Sequence, residues 1–140
     1  MRKAAKRSIR VTGKVLLDTS IIVAVLRRVP GVGERLRDAG EQLVPLVAPG
    51  ELEYGANLAT PPESQRAAVS TFMQGATRLL LTAYTGAEYG RVKLALNLAG
   101  APIPENDLWI AAAVPEHGLP LATRDAHFNR MPGLTVHEWH

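Results

Sequence analysis

An α/β domain with a mostly parallel sheet, covered by helices on both faces, is the fold this sequence predicts, and three observations carry that prediction. Short apolar runs alternate with longer helical segments along the chain, the rhythm of strand–helix–strand units. The first run, Val15-Leu16-Leu17, is apolar at every position, as a strand buried on both faces requires. The 140 residues suit a single core, which at this size buries roughly two thirds of the unfolded surface. No internal repeat, low-complexity segment or interdomain linker divides them.

Val15 to Leu17 is the first predicted strand and ends at Asp18. Thr19 and Ser20 can cap the helix that follows over Ile21 to Arg28, which Pro30, Gly31 and Gly33 break before an amphipathic segment around Glu34 to Glu41. Leu43 to Val47 is the second strand. Pro45 within it predicts an edge position or a later start. Pro49 suits a first helical position, and Glu51 to Ala59 continues as a helix with small residues at Gly55 and Ala56. Thr60, Pro61 and Glu63 have capping-box spacing, predicting a helix from Pro61 to about Ala76. Arg78 to Thr82 reads as a third strand. Thr85 and Glu88 repeat the capping-box spacing before a helix ending near Gly100, where glycine can take the left-handed conformation. Pro102 and Pro104 extend the next connection. Glu105 or Asn106 then opens a helix closed by Gly118, with Pro115 expected to distort or shorten its last turn. Leu119 to Thr123 and Leu134 to His137 complete a sheet of four to five strands.

Composition narrows the function. Hydrophobic residues make up 46% and charged residues 21%, an ordinary globular balance that excludes disorder and fibrous repeats. The absence of cysteine excludes disulfides, zinc thiolate sites and thiol chemistry, and fits a reducing cytoplasm. The net charge of +3 is misleading, because Arg2, Lys3, Lys6, Arg7, Arg10 and Lys14 precede the first apolar run. The remainder sets 10 basic residues against 13 acidic ones, so its net charge is −3. The chain therefore divides into a basic arm over residues 1–14 and a mildly acidic domain over 15–140. Such an arm suits non-specific contact with phosphate backbone, or is a solvated terminus. A basic start leading into Val15 to Leu26 superficially resembles a secretory signal, but Asp18 interrupts the apolar stretch, no small-x-small cleavage site follows, and the run is too short to span a bilayer.

In an open parallel sheet, ligands bind beyond the C-terminal strand ends. Asp18 ends the first strand, Asp125 follows the fourth, and Glu51 and Asp107 lie in the first turns of helices, so all four can reach one edge. Singly, each has a structural explanation in the helix dipole or in turn formation. Together they repel one another and raise one another's pKa unless cations neutralise them. An all-oxygen set selects hard cations such as Mg²⁺ or Mn²⁺, which suit two-metal hydrolysis of a phosphodiester.

The motifs Val15-Leu-Leu-Asp-Thr-Ser20, Glu51-Leu-Glu-Tyr-Gly55, Asn106-Asp-Leu-Trp-Ile-Ala-Ala112 and Leu121-Ala-Thr-Arg-Asp125 resemble, in order and spacing, the successive motifs of PIN-domain nucleases. The likeness is strongest to the VapC-type toxins of toxin–antitoxin pairs, and it runs from about Val15 to Trp139. It implies a three-layer α/β/α fold, dependence on Mg²⁺ or Mn²⁺, endonucleolytic cleavage of RNA with transfer RNA a common substrate class, and a homodimer. It also implies a small antitoxin whose C-terminal segment covers the active site in a toxin–antitoxin hetero-oligomer. By the same resemblance Asp18, Glu51, Asp107 and Asp125 bind metal and position the attacking water, with Thr19 or Ser20 and Thr123 as supporting hydroxyls. The motif patterns select Glu51 over Glu53 and Asp107 over Glu105. Pro49, Gly50 and Pro115 depart from the family pattern, which bears on the geometry around Glu51 and the packing of the helix from Asp107.

The histidines at 117, 127, 137 and 140 lack paired zinc-ligand spacing and are given no catalytic role; His127 reads as packing or RNA contact. Arg124 and Arg130 flank Asp125 as candidate contacts to the RNA backbone. Trp109 reads as a core or interface residue before a base-stacking one. Two rivals remain at this level. A haloacid-dehalogenase-like phosphatase also places an Asp after its first strand, but requires a second Asp where Ser20 stands. A catalytically silent RNA- or protein-binding module is disfavoured by the intact carboxylates.

Overall fold

The computed structural model describes residues 13–131 and 133–140, so the basic arm, Lys14 apart, lies almost wholly outside the described residues. The elements are β1 (Lys14–Leu17), α1 (Thr19–Leu26), α2 (Val32–Ala39), β2 (Glu41–Pro45), α3 (Val47–Leu58), α4 (Pro62–Gln74), β3 (Thr77–Leu79), α5 (Ala83–Leu98), α6 (Glu105–His117), β4 (Leu121–Thr123), a 3₁₀ turn (Ala126–Arg130) and β5 (Val136–Glu138). The five strands form one sheet in the order β3-β2-β1-β4-β5, every pairing parallel. After β1 the chain builds outward on one side through β2 and β3, then crosses back to lay β4 and β5 on the other. The crevice between the ends of β1 and β4 is the topological switch point, where open α/β sheets bind ligands.

Alternation along the strands sorts the core into two layers. Val15, Leu17, Val44 and Ala122 face a cluster built from α1 to α4, including Ile21, Ile22, Leu36, Leu52, Val69 and Met73. Leu16, Leu43 and Leu121 face the opposite cluster, where Val92 and Leu96 of α5 and Ile110 and Val114 of α6 pack with Phe128. The expected three-layer α/β/α architecture is what the chain adopts. Each fully buried Leu, Ile or Val stabilises it by roughly 1.5–3 kcal/mol relative to an exposed one. No helix among the described residues is long and apolar enough to cross a membrane.

Several local expectations are corrected. β2 lies between β1 and β3 and begins early, at Glu41, so Pro45 makes it neither an edge strand nor a late one. Its pairing with β1 ends at Leu43↔Leu16, while the Leu46 N–H donates to Leu79 O on the β3 side at 3.0 Å. Pro45 therefore lacks its N–H past the end of β1, where no acceptor awaits it. α3 starts at Val47, four residues before Glu51, and Pro49 sits in its first turn, where N–H groups have no helical partner anyway. Thr60 does not cap α4: the N-cap is Pro61 and no side chain caps there. The capping box of α5 belongs to Thr82 and Thr85, not to Thr85 and Glu88, with Thr82 Oγ1 accepting from Thr85 N and Thr85 Oγ1 accepting from Thr82 N. Glu88 instead pairs with Arg91 at 2.7 Å. α6 is not shortened by Pro115, running to His117 and closing on Gly118 at φ 61°.

Candidate active site

A cleft of about 790 Å³ opens at the switch point, and Asp18, Glu51, Asp107 and Asp125 all line it. They arrive from four separate segments: the end of β1, the second turn of α3, the first turn of α6 and the end of β4. The sequence-predicted carboxylates are thus brought together. Glu53 lies outside the cleft lining and pairs with Arg66 at 3.1 Å, while Glu105 lines the rim but its carboxylate is taken up by Lys93 at 3.2 Å.

Asp18 is only 1% exposed, yet it is not unpartnered. Ser20 Oγ donates to its Oδ2 at 2.6 Å and Thr123 Oγ1 donates to the same oxygen at 2.7 Å. Those hydroxyls are fixed in turn, Ser20 Oγ accepting from Arg124 N at 3.0 Å and Thr123 Oγ1 from Asp125 N at 3.0 Å. One backbone turn after β4 therefore orients the carboxylate at the end of β1. Thr19 serves a different partner, donating to Glu51 Oε1 at 2.6 Å and tying the start of α1 to α3. All three hydroxyls singled out in the sequence touch a cleft carboxylate directly.

Electrostatics strain this arrangement in the absence of a cation. Burial raises the Asp18 carboxyl above its ordinary range and the nearby Asp125 charge raises it further, against the two hydroxyl donors that lower it. Asp107 is pushed up to about 6, first by burial and then by Asp18, with Glu51 adding to the rise while His127 opposes it. His127 Nε2 lies 2.5 Å from Asp107 Oδ2. Ligand atoms of Asp107, Asp125 and His127 fall within 4.8 Å of one another, close enough to share an ion. This donor set of hard oxygens and one imidazole, with carboxylates that resist ionising side by side, fits a divalent cation.

Two residues of the cleft are missed by the sequence reading. His127 reads there as packing or RNA contact, and no ligand spacing marks it, because the 3₁₀ turn after Asp125 swings it back toward Asp107. Arg27 lines the cleft together with Ser20, Val23 and Ala24. That spacing of three, four and seven residues marks one face of α1, a signal that is legible in the sequence. Arg124 also lines the cleft, its Nη1 donating to Trp139 O at 2.9 Å. Arg130 does not, and donates instead to Pro102 O at 3.0 Å beside α5. Trp109 stacks on Tyr89, with ring centroids 3.9 Å apart.

The PIN domain sequence profile matches residues 15–134. Ribonuclease VapC2 of Haemophilus influenzae is 33% identical over 129 residues, covering 90% of this chain and 98% of that protein. The tRNA(fMet)-specific endonuclease VapC of Shigella flexneri is 29% identical over the same shares of each. Among solved structures, VapBC2 from Rickettsia felis, bound to a DNA fragment from its promoter, aligns with a TM-score of 0.85 at 23% identity, over 91% of this chain and 99% of that one. VapBC-5 of Mycobacterium tuberculosis, a member of the VapBC family of toxin–antitoxin systems, aligns with a TM-score of 0.72 at 26% identity, over 90% and 97%.

Proposed function

The chain belongs to the PIN domain family and stands beside the VapC ribonucleases, and from that premise we propose that it is a Mg²⁺- or Mn²⁺-dependent endoribonuclease acting as the toxin of a toxin–antitoxin pair. The observation that carries the reading is the convergence of Asp18, Glu51, Asp107 and Asp125 on one cleft, with Asp18 and Asp107 held above the ordinary carboxylate range partly by their neighbours' charge.

These four carboxylates are the residues that would hold the ion, with His127 beside them. A divalent cation in such a site supplies positive charge for the phosphate and its leaving oxygen and lowers the pKa of water. The chain's own residues set the geometry. Ser20 and Thr123 aim Asp18 by donating to one oxygen, and Thr19 orients Glu51 in the same way. His127 Nε2 sits 2.5 Å from Asp107 Oδ2 and opposes the rise in that carboxyl's pKa. Arg27 and Arg124 line the cleft as the basic groups that meet phosphate oxygens.

The substrate reading is RNA, with transfer RNA favoured by the name of the Shigella relative. The partner reading is a small antitoxin whose C-terminal segment lays a basic side chain among the carboxylates, in keeping with the VapBC neighbours. A homodimer fits the exposed Tyr84, Leu94 and Leu98 along α5.

Purified protein is expected to cleave RNA with Mg²⁺ or Mn²⁺ and to stop on chelation. Asp18→Asn should abolish cleavage, a larger effect than the roughly 10–100-fold loss typical when only an orienting partner is removed, while the far-UV spectrum is retained. Full activity in Asp18→Asn overturns the site assignment. Mapping new RNA 5′ ends after brief expression identifies the substrate.

A further inference from the structure

The catalytic cleft continues past Glu51. A second groove of about 480 Å³ is lined by Val47, Gly50, Glu51, Tyr54 and Asn106, and it shares Glu51 and Asn106 with the carboxylate cleft. Whatever occupies one opens directly into the other. Tyr54 lies one helical turn beyond Glu51 on the same face of α3, and it is 68% exposed. A phenol ring held out to solvent beside a catalytic carboxylate contributes nothing to the core. Nothing lies within 4 Å of where a side chain at Gly50 would begin, so the groove is open along this stretch of the helix.

The chemistry of the two parts differs. The carboxylate cleft carries guanidinium groups at Arg27 and Arg124, which suit phosphate oxygens. None of the five residues lining the second groove is basic, so it offers phosphate no cationic partner. It offers a flat aromatic face and a carboxamide, the pair of groups with which proteins stack on and hydrogen-bond to an unpaired base. Resting on the nuclease reading above, we propose that Tyr54 stacks on the nucleobase next to the scissile phosphodiester and that the Asn106 carboxamide hydrogen-bonds that base's edge.

The test uses full-length Asp18→Asn protein, which binds without cutting, Mg²⁺ and a fluorescent single-stranded oligoribonucleotide carrying 5-bromouridine. Tyr54→Ala should raise Kd by about 5–100-fold, and Tyr54→Phe should stay within about 2-fold, because stacking needs the ring and not the hydroxyl. An abasic nucleotide at one position should make the Tyr54 and Tyr54→Ala proteins bind equally, and irradiation should crosslink the bromouridine to Tyr54. A Kd unchanged in Tyr54→Ala assigns the groove to a protein segment and overturns the proposal, as does a Tyr54→Phe variant as weak as Tyr54→Ala. The two readings fail separately. If the wild-type protein cuts no RNA with either ion while base-dependent crosslinking to Tyr54 persists, the nuclease reading falls and the stacking interaction stands. If cleavage depends on Asp18 but KM is unchanged in Tyr54→Ala, only the stacking interaction falls.

Discussion

Burial raises the Asp18 carboxyl, and two hydroxyls donating to one of its oxygens oppose that rise, since each favours the charged form. Removing either donor lifts the Asp18 pKa further. Ser20→Ala or Thr123→Val should therefore move the acidic limb of the kcat/KM profile to higher pH and lower activity roughly 10–100-fold, with the larger loss at low pH. A purely packing role for Thr123 leaves that limb in place. Asp107 gives a second prediction, about stability. Its folded pKa of about 6 exceeds the ordinary value of 3.8, so the folded protein binds the proton more tightly than the unfolded chain. The resulting stabilisation is fully present below about pH 4 and is lost as pH rises through 6. In chelator at pH 7, Asp107→Asn should be more stable than wild type by of the order of 1–3 kcal/mol while losing activity, and the difference should shrink toward zero by pH 4. Thermal melts across that range decide it. The carboxylates are readable in the sequence because strand ends and helix starts constrain them, whereas the pairing of His127 with Asp107 depends on a turn direction that no local pattern announces.

At the scale of elements, helix ends separate real caps from look-alikes. Thr60 and Thr85 both have an acid three residues on, yet neither caps through it; Thr82 makes the reciprocal bonds, and it also donates to Glu116 at 2.9 Å. Thr82→Ala should cost about 1 kcal/mol or somewhat more, while Thr60→Ala should change the melting temperature little. Spacing alone favours the wrong residues, because Pro61 and Pro62 follow Thr60 and that helix begins one residue later than its spacing requires, while Thr82 has a threonine and not an acid three residues on. The second strand misleads for a related reason. Proline is unwelcome in an interior strand, and the sequence does not reveal that β1 stops short of Pro45. Alternating apolar runs locate every strand, though their ends shift by one or more residues, and they identify the faces that bury.

Across the whole molecule, charge is distributed against the proposed substrate. The domain from residue 15 is net −3, so phosphate binding falls to the cation, to a few cleft arginines and to the arm. Removing residues 1–12 takes away Arg2, Lys3, Lys6, Arg7 and Arg10. The truncated protein should bind single-stranded RNA more weakly and with a shallower salt dependence, by about 0.7 in the log–log slope for each phosphate the arm no longer neutralises. An unchanged slope makes the arm a bystander. The fold itself is legible from the strand–helix rhythm, and the order of the five strands is not, because crossover direction depends on packing across the sheet.

The dependence of Asp18 on Thr123 has a consequence in time as well as in space. Synthesis delivers Asp18 early, but Thr123, Asp125 and the Trp139 carbonyl that holds Arg124 come from the last stretch of the chain. A nascent polypeptide that ends before β4 carries three of the four carboxylates, with Asp18 lacking its Thr123 donor. On the nuclease reading, a chain terminated before β4 should lack cleavage activity, because the turn that orients Asp18 and supplies Asp125 is missing.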